Sequence, residues 1–191
     1  MITDGLFKVL SAIHPLTTGF KKSLAKELIT LSFPKNYIIV EEGKIAQYVY
    51  FLETGFAMAY SFHDKRKLVE GFWKPGQIMT SAGSFYEQVA STEFIQLAED
   101  SNLLCLSHSG LHRLFNYHQE AHFLYHKIMN NYYRQCRARI HDIQRLSAAR
   151  RFETLLKSFP DVEQVITQEN IASYLAITPQ SLSRIKRQRE L

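Results

Sequence analysis

The chain has 191 residues, of which 46% are hydrophobic and 13% aromatic, enough for one large or two small packed domains. Its formal net charge is +5, and the charge is unevenly distributed. Residues 1–117 contain 11 Lys and Arg against 11 Asp and Glu, whereas residues 118–191 contain 12 against 7. All the excess positive charge therefore lies in the C-terminal part. This distribution favours a protein that binds the phosphate backbone of nucleic acid, although an inert basic surface would have the same composition.

The composition also excludes several classes of protein. The two cysteines, Cys105 and Cys136, form no CxxC motif, so neither a disulfide framework nor a structural zinc site is expected. Four-cysteine iron–sulfur ligation within one chain is excluded. The N-terminus lacks the pattern of a signal peptide, and no run approaches the roughly 18 apolar residues of a membrane span. We therefore expect a cytoplasmic protein that neither enters a membrane nor carries a cofactor.

The first part of the chain changes from helical to β-rich character. Residues 5–29 have the apolar spacing of one or two helices, which His14-Pro15 should separate. From residue 31 to residue 107, short β-rich runs recur between turn residues, and this regular spacing predicts an antiparallel sandwich or barrel. The runs are 37–40, 48–52, 56–62, 68–73, 94–97 and 103–106.

A long helix is predicted next, from Gln119 to Leu146. Its apolar stripe advances in steps of 4, 3, 4, 4 and 3 residues, as in a coiled-coil seam. No neighbouring predicted helix is long enough to cover this seam, but a second copy of the same helix is, which predicts a homodimer. Alternatively, the seam packs only on the barrel. The seam consists of Tyr125, Met129, Tyr132, Cys136, Ile140 and Ile143.

Two features of this helix could act as sensors. His118, His122 and His126 are spaced at i, i+4 and i+8, which could hold a divalent metal on one helical face. No matched carboxylate is evident, so solvated histidines are the favoured interpretation and no metal site is expected. Cys136 could pair with its twin in a dimer as a redox switch, but the favoured interpretation is a small buried residue.

The C-terminal part contains two short helices joined by a tight turn. Thr167 is an N-cap type for the first, and Thr178-Pro179 begins the second. The apolar residues expected to face inward are Ile171, Ala172, Leu175, Ile177, Leu182 and Ile185. The polar residues expected to face outward are Thr178, Gln180, Ser181, Arg184 and Arg187.

This is the pattern of a DNA-binding helix-turn-helix, whose second helix enters the major groove. The alternative is an ordinary α-hairpin with a solvated face. The turn usually contains a glycine with positive φ, but here it contains Ala176, so the turn is either strained or shaped differently.

The order barrel, long helix, helix-turn-helix resembles the Crp/Fnr superfamily of bacterial transcription regulators. The helix-turn-helix is especially similar to the short regulators common in Bacteroidetes. The segments that carry the resemblance are Glu42-Gly43-Lys44, Thr54-Gly55-Phe56, Lys74-Pro75-Gly76-Gln77-Ile78, Ile171-Ala172-Ser173-Tyr174-Leu175 and Ile177-Thr178-Pro179, within a similarity that extends over 166–187.

The resemblance implies an α+β fold in three parts. Residues 1–117 would form an effector-type β jelly roll, similar to a cyclic-nucleotide-binding domain, with N-terminal helices. Residues 118–147 would form the dimerisation helix, and residues 148–191 the all-α helix-turn-helix domain. The chain ends at Leu191, where such regulators usually continue into a small β wing, so no wing is expected.

For DNA binding, the resemblance implies a homodimer on a pseudo-palindrome whose half-sites are about 34 Å apart, and RNA polymerase as a further partner. The family's base-contacting positions fall on Pro179, Gln180 and Arg184. Proline cannot contact guanine, so the operator should differ from that of the catabolite-activator branch. Phosphate contacts and register are expected from Thr167, Gln168, Ser181, Lys186 and Arg187.

The family's cyclic-nucleotide pocket has a glutamate for the ribose and an arginine for the phosphate. By register, the corresponding segments are Thr80-Ser81-Ala82 and Ser91-Thr92-Glu93, which lack both residues. No Lys or Arg occurs between Lys74 and Arg113, although four acidic residues do: Glu87, Glu93, Glu99 and Asp100. Because an unpaired buried phosphate is costly, we expect no cAMP or cGMP there. Any effector would be uncharged or cationic.

Two other functions are considered. Jelly rolls also carry cupin chemistry, which needs clustered metal-binding histidines, but residues 31–107 contain a single histidine, His63, so an enzyme is not expected. A protein-interaction or small-ligand module that has lost DNA binding is the alternative to a transcription regulator.

Overall fold

The structure is a computed structural model that describes residues 3–189. The described chain consists of helices and two antiparallel sheets, which is the predicted α+β arrangement. The strands are β1 (Leu28–Phe33), β2 (Ile38–Val40), β3 (Tyr48–Thr54), β4 (Ala57–His63), β5 (Arg66–Trp73), β6 (Ile78–Met79), β7 (Phe94–Leu97) and β8 (Ser101–Ser107). The helices are α1 (Asp4–Ile13), α2 (Thr18–Glu27), α3 (Ala82–Glu87), α4 (His108–Tyr117), α5 (Gln119–Arg145), α6 (Ala148–Ser158), α7 (Val162–Val165), α8 (Gln168–Tyr174) and α9 (Pro179–Arg189).

The jelly roll consists of two four-stranded antiparallel sheets with the orders β1-β8-β3-β6 and β2-β7-β4-β5. Alternate side chains of the strands fill the space between the sheets, and Leu52, Ala57, Ile95 and Leu103 are completely buried there. The predicted antiparallel barrel is therefore confirmed. Each of the six predicted runs overlaps a strand of these two sheets, and only Tyr37 and Phe56 lie one residue before their strands.

The helical prediction for residues 5–29 extends two residues too far. The break at His14-Pro15 is present, but α2 ends at Glu27, and Leu28 begins strand β1. Six residue pairs align β1 with β8, from Leu28 opposite Leu106 to Phe33 opposite Ser101. The helical spacing of Leu24 and Leu28 was misleading because this long-range pairing determines the local structure. Strand β6 and helix α3 were also not predicted.

The long helix α5 has 27 residues and begins within one residue of the jelly roll's last helix. Its first turns pack on the chain, where Ala121 and Leu124 are buried. The carboxylate of Glu120 accepts hydrogen bonds from the hydroxyl and amide of Thr17 at 2.5 and 3.2 Å. These bonds lower the pKa of Glu120 and connect α5 to the start of α2. Within residues 3–189, none of the helices combines the length and apolarity needed to cross a bilayer.

The C-terminal helices share a hydrophobic core with the outer face of the β4–β5 hairpin. The ring of Phe56 lies 5.8 Å from that of Phe159, and the ring of Phe72 lies 4.7 Å from that of Tyr174, measured between centroids. The C-terminal helices therefore pack directly on the jelly roll. The buried members of this shared core are Phe56, Met58, Tyr60, Val69, Phe72, Phe152, Leu155, Val162, Ile166, Ile171, Ala172, Leu175 and Leu182.

Candidate nucleic-acid interface

Helices α8 and α9 form the predicted helix-turn-helix, and hydroxyl groups cap both. The Thr167 hydroxyl accepts a hydrogen bond from the amide of Asn170, and the Thr178 hydroxyl accepts one from the amide of Ser181. These bonds satisfy backbone amides that have no partner within the helix. Pro179 takes the first position of α9, where its missing N–H costs nothing.

The turn between these helices is a Schellman motif built on an alanine. The amide of Ile177 donates to the carbonyl of Ala172 and the amide of Ala176 to that of Ser173, both at 3.0 Å. Ala176 has a φ of +54°, the left-handed conformation that usually selects glycine. Of the two possibilities left by the sequence, the structure therefore shows the strained one: the turn has its usual shape without its usual residue.

The inward and outward faces of the pair follow the predicted pattern. Ile171, Ala172, Leu175 and Leu182 are each at most 1% exposed, and the small Ala172 occupies the position where the two helices pack closely. Ile177 and Ile185 pack against this core from the side. The predicted binding residues Thr167, Gln168, Thr178, Pro179, Gln180, Arg184 and Arg187 are exposed. Their surface is continuous along the second helix and the start of the first.

Two predicted contact residues are less available than expected. The ammonium group of Lys186 pairs with the carboxylate of Glu163 at 2.7 Å, so this lysine is held against α7. Ser181 is half-buried, and its hydroxyl bonds that of Thr178 at 3.0 Å. Within the described residues, no carboxylate forms an ion pair with Arg184 or Arg187. Arg184 and Arg187 therefore present their charge on the α9 surface without a neutralising carboxylate among the described residues.

Polar contacts fix α8 to strand β5 on the side away from this surface. The Ser173 hydroxyl accepts a hydrogen bond from the amide of Val69 at 3.0 Å and donates one to the carbonyl of Lys67 at 2.9 Å. Because β5 is an edge strand of its sheet, its outer backbone groups are available for such bonds. Ser173 thus substitutes for a neighbouring strand at this edge.

An arginine from α5 completes this junction. The guanidinium of Arg139 donates to the carbonyls of Val69, Glu70 and Tyr174, and lies 4.2 Å from the centre of the Tyr174 ring. Burial lowers the pKa of Arg139, although the guanidinium stays charged at neutral pH. Sequence reasoning missed both Ser173 and Arg139 as positioning residues. No local signal marks them, since their partners lie 35 to 106 residues away.

The predicted dimer seam on α5 is only partly covered within the chain. Tyr125 is half-buried, with its ring 4.9 Å from that of Tyr86. Further along, Tyr132, Ile140 and Ile143 are 46%, 54% and 40% exposed. Packing on the barrel therefore accounts for the start of the seam and leaves its second half open to solvent. Cys136 is exposed in the single chain.

The predicted effector segments meet at a polar cluster of Ser81, Ser91 and Glu93. The Ser81 and Ser91 hydroxyls are buried and lie 3.1 Å apart. Burial raises the pKa of Glu93; the Ser81 hydroxyl opposes this shift, and the nearby charge of Glu70 adds to it. The cluster therefore contains carboxylates where a phosphate would need cations. Tyr132 faces it from α5: burial raises its pKa to about 12, with smaller effects of Cys136, Glu93 and Glu70.

The other residues predicted for the effector pocket are not hydrogen-bonded to this cluster within the described residues. The hydroxyl of Thr80 donates to the carbonyl of Tyr48, Ala82 begins α3, and Thr92 is exposed. Of the four acidic residues that the sequence suggested as a negative wall, only Glu93 joins the cluster. Asp100 instead accepts a bond from the amide of Lys35 at 2.7 Å. A second carboxylate, that of Glu70 on β5, is exposed and accepts a bond from the Ser61 hydroxyl at 2.5 Å, but its charge still adds to the raised pKa of Glu93. Sequence reasoning missed it because β5 was not aligned with the pocket segments.

The histidines of the long helix do not converge. The His118 ring precedes α5 and packs edge-on against Phe20, whereas His122 stacks on Phe115 with its Nε2 3.0 Å from the Phe115 carbonyl. Across residues 3–189, no group of three or more His, Cys, Asp or Glu side chains is arranged to hold a metal ion.

Comparisons with known proteins agree with this architecture. Residues 30–118 match the sequence profile of the cyclic nucleotide-binding domain family, whereas no curated protein matches the chain. The structure of FixK2 from Bradyrhizobium japonicum superposes with a TM-score of 0.71 at 21% identity, covering 84% of this chain and 83% of that one. A crp/fnr-family regulator from Eubacterium rectale gives a TM-score of 0.73 at 18% identity, with 92% and 84% covered. The c-di-GMP responsive regulator CLP from Xanthomonas campestris gives 0.68 at 14%, with 91% and 92% covered.

Residues 30–118 therefore resemble the cyclic nucleotide-binding domain family, and the chain shares its overall fold with the solved FixK2 and crp/fnr-family regulator structures. The resemblance stated from the sequence is confirmed at the level of the fold. At identities of 14–21%, individual binding residues do not transfer between proteins, because function lies in sites rather than in folds.

Proposed function

We propose that this protein is a sequence-specific, double-stranded-DNA-binding transcription regulator that acts as a homodimer. The observation that carries the proposal is the exposed polar and basic face of α9, on a capped helix-turn-helix whose opposite face is buried. A helix presented in this way fits the major groove. The chain's excess positive charge also lies in its C-terminal part, with a net +3 on residues 118–147 and a net +2 on residues 148–191.

The side chains of α9 have distinct roles in this proposal. Arg184 would bond the O6 and N7 atoms of a guanine, and Gln180 the N6 and N7 atoms of an adenine, because both groups can make two bonds to those base edges. Thr167, Gln168 and Arg187 would contact phosphates and set the register. The ion pair with Glu163 makes Lys186 a weaker phosphate contact than the sequence suggested.

The homodimer is proposed along the exposed half of the α5 seam. Tyr132, Ile140 and Ile143 recur at helical spacing and are 46%, 54% and 40% exposed, so the described part of the chain covers them only in part. Pairing two copies of α5 would bury these side chains and place two α9 helices on successive major grooves.

We also propose that the jelly roll does not bind a cyclic nucleotide at the Ser81–Ser91–Glu93 cluster. A phosphodiester there would meet the Glu93 carboxylate, whose pKa burial already raises, with Glu70 close by. Bringing a second anion into this half-buried place costs several kcal/mol when no cation compensates it. Calorimetry should detect no tight cAMP or cGMP binding; saturable binding of one nucleotide per chain would disprove this part.

The central experiment selects binding sites from random duplex DNA and then measures affinities of variants for the selected site. We expect a pseudo-palindrome with half-sites separated by about one helical turn. Arg184→Ala should lose roughly 1–3 kcal/mol and relax preference at a single base pair. Lys157→Ala removes an exposed cation on α6, away from α9, and serves as the matched control.

Two results would contradict the assignment. Equal weakening by Arg184→Ala on all sequences would make that arginine a phosphate contact. Absence of any salt-dependent shift with duplex DNA at low ionic strength would favour an interaction module that has lost DNA binding.

A further inference from the structure

An apolar cavity of about 90 Å³ lies outside the jelly roll, between the β1-β8-β3-β6 sheet and the helices that pack on it. Its walls are formed by aliphatic and aromatic side chains from α1, α2, α3, α4, α5 and the sheet. The cavity is separate from the polar Ser81–Ser91–Glu93 cluster, because none of these three residues lines it. It is therefore a second internal space, of opposite chemical character.

The chemistry of the walls defines what can enter. Protein interiors rarely contain voids larger than a water molecule, and voids with apolar walls stay dry. The one deeply buried tyrosine in the wall, Tyr50, directs its hydroxyl away to the carbonyl of Ile39 at 3.1 Å. Besides the tyrosines Tyr50, Tyr86 and Tyr125, the lining side chains are aliphatic, aromatic and apolar, which makes the transfer of a charged ligand from water unfavourable. Dry cavities of about 150 Å³ bind xenon or benzene, so this smaller one suits an equally small apolar molecule.

One wall of the cavity belongs to the proposed dimerisation helix. Ala121, Leu124, Tyr125 and Ile128 line the cavity at spacings i, i+3, i+4 and i+7, which is one face of the first two turns of α5. Leu10 on α1 and Leu104 on the sheet form part of the facing walls. A molecule in the cavity would thus lie between the jelly roll and the helix that carries the exposed seam.

We propose that this cavity is a binding site for a small, uncharged apolar molecule, and that its occupancy shifts the first turns of α5. The shift follows from packing, since close-packed walls respond to added volume by moving as units rather than by compressing. Ligand binding itself is independent of the proposed function. Only the consequence for the dimer seam rests on it.

Xenon is the probe for the test, with methyl and amide NMR of the full chain. We expect saturable shifts of the Leu10, Leu124 and Ile128 methyl signals, and amide shifts that continue along α5 to Tyr132. Ala121→Leu fills the cavity from α5 and should abolish these shifts. Ala149→Leu makes the same change at an exposed position of α6 and should leave them intact.

Unsaturable shifts, or equal shifts in the wild type and in Ala121→Leu, would overturn the binding site. Shifts that saturate but stay confined to the methyl groups would overturn the movement of α5. If circular dichroism shows that Ala121→Leu does not fold, Ile128→Phe fills the same space from two turns further on. A failure of DNA binding would leave the xenon result unchanged, so the two proposals fail separately.

Discussion

Replacing Ala176 with glycine should stabilise the protein, although it removes a methyl group. Ala176 has a φ of +54° in the turn between α8 and α9, and its side chain is exposed. Because the side chain is exposed, its removal opens no cavity. The two hydrogen bonds of the Schellman motif at 3.0 Å need only the backbone, so glycine keeps them.

The magnitude follows from two opposing terms. A left-handed conformation costs an L-residue with a Cβ atom roughly 1–2 kcal/mol, which glycine does not incur. Glycine in turn loses more freedom on folding, by about 0.4–1 kcal/mol relative to alanine. The difference leaves Ala176→Gly more stable by about 1 kcal/mol, equivalent to a rise in Tm of about 2–4 °C for a chain of this size.

Urea unfolding at fixed protein concentration measures this difference, provided that the dependence on urea is equal in both proteins. Ala138→Gly, at an exposed position within α5, is the control and should destabilise by about 1 kcal/mol, because glycine is unfavourable inside a helix. If both variants lose stability by similar amounts, Ala176 does not occupy the left-handed conformation in solution, and the argument about the turn fails.

Three further changes test the junction, the seam and the polar cluster. Ser173→Ala should lower the free energy of unfolding in urea by about 1–3 kcal/mol, because the Val69 amide and the Lys67 carbonyl lose their partner. The control Ser183→Ala should lower it by less than about 0.5 kcal/mol. Ile140→Glu should shift sedimentation toward the monomer, since it places a charge in the proposed seam. The control Gln144→Glu, at an exposed position, should leave association unchanged. Unchanged association in Ile140→Glu would argue against that seam. Burial raises the pKa of Glu93 above the ordinary glutamate value of 4.5, so the folded protein favours the protonated carboxyl. The folded state therefore loses stability relative to the unfolded state as the pH rises above 4.5. Glu93→Gln should therefore stabilise the protein at pH 7 but not at pH 4, and an equal effect at both pH values would contradict this reasoning.

Local patterns predicted most of the elements. Alternating runs between turn residues marked six strands, and the apolar stripe placed the long helix within one residue of its observed end at Arg145. Threonine caps marked the starts of α8 and α9. These features depend on neighbours in sequence, which is why a single chain reveals them. The two-residue strand β6 is too short to show a period.

Features that depend on distant partners were not predictable. Leu28 belongs to a strand because it pairs with Leu106. Lys186 is paired because α7 brings Glu163 to 2.7 Å. Glu70 reaches the polar cluster because β4 aligns β5 with β7. In each case the sequence shows the chemical group, whereas only the fold decides what faces it.

The shared core decides how the proposed DNA-binding helices can move. Separating them from the β4–β5 hairpin would break the ring contacts of Phe56 and Phe72 with Phe159 and Tyr174, and each large apolar side chain contributes about 1.5–3 kcal/mol when buried. Ser173 and Arg139 would lose their backbone partners as well. Coupling between an effector and a distant site is typically only about 1–3 kcal/mol. An effector of that strength does not undock these helices, so within the proposed dimer the spacing of two α9 helices changes where the two copies meet, along α5.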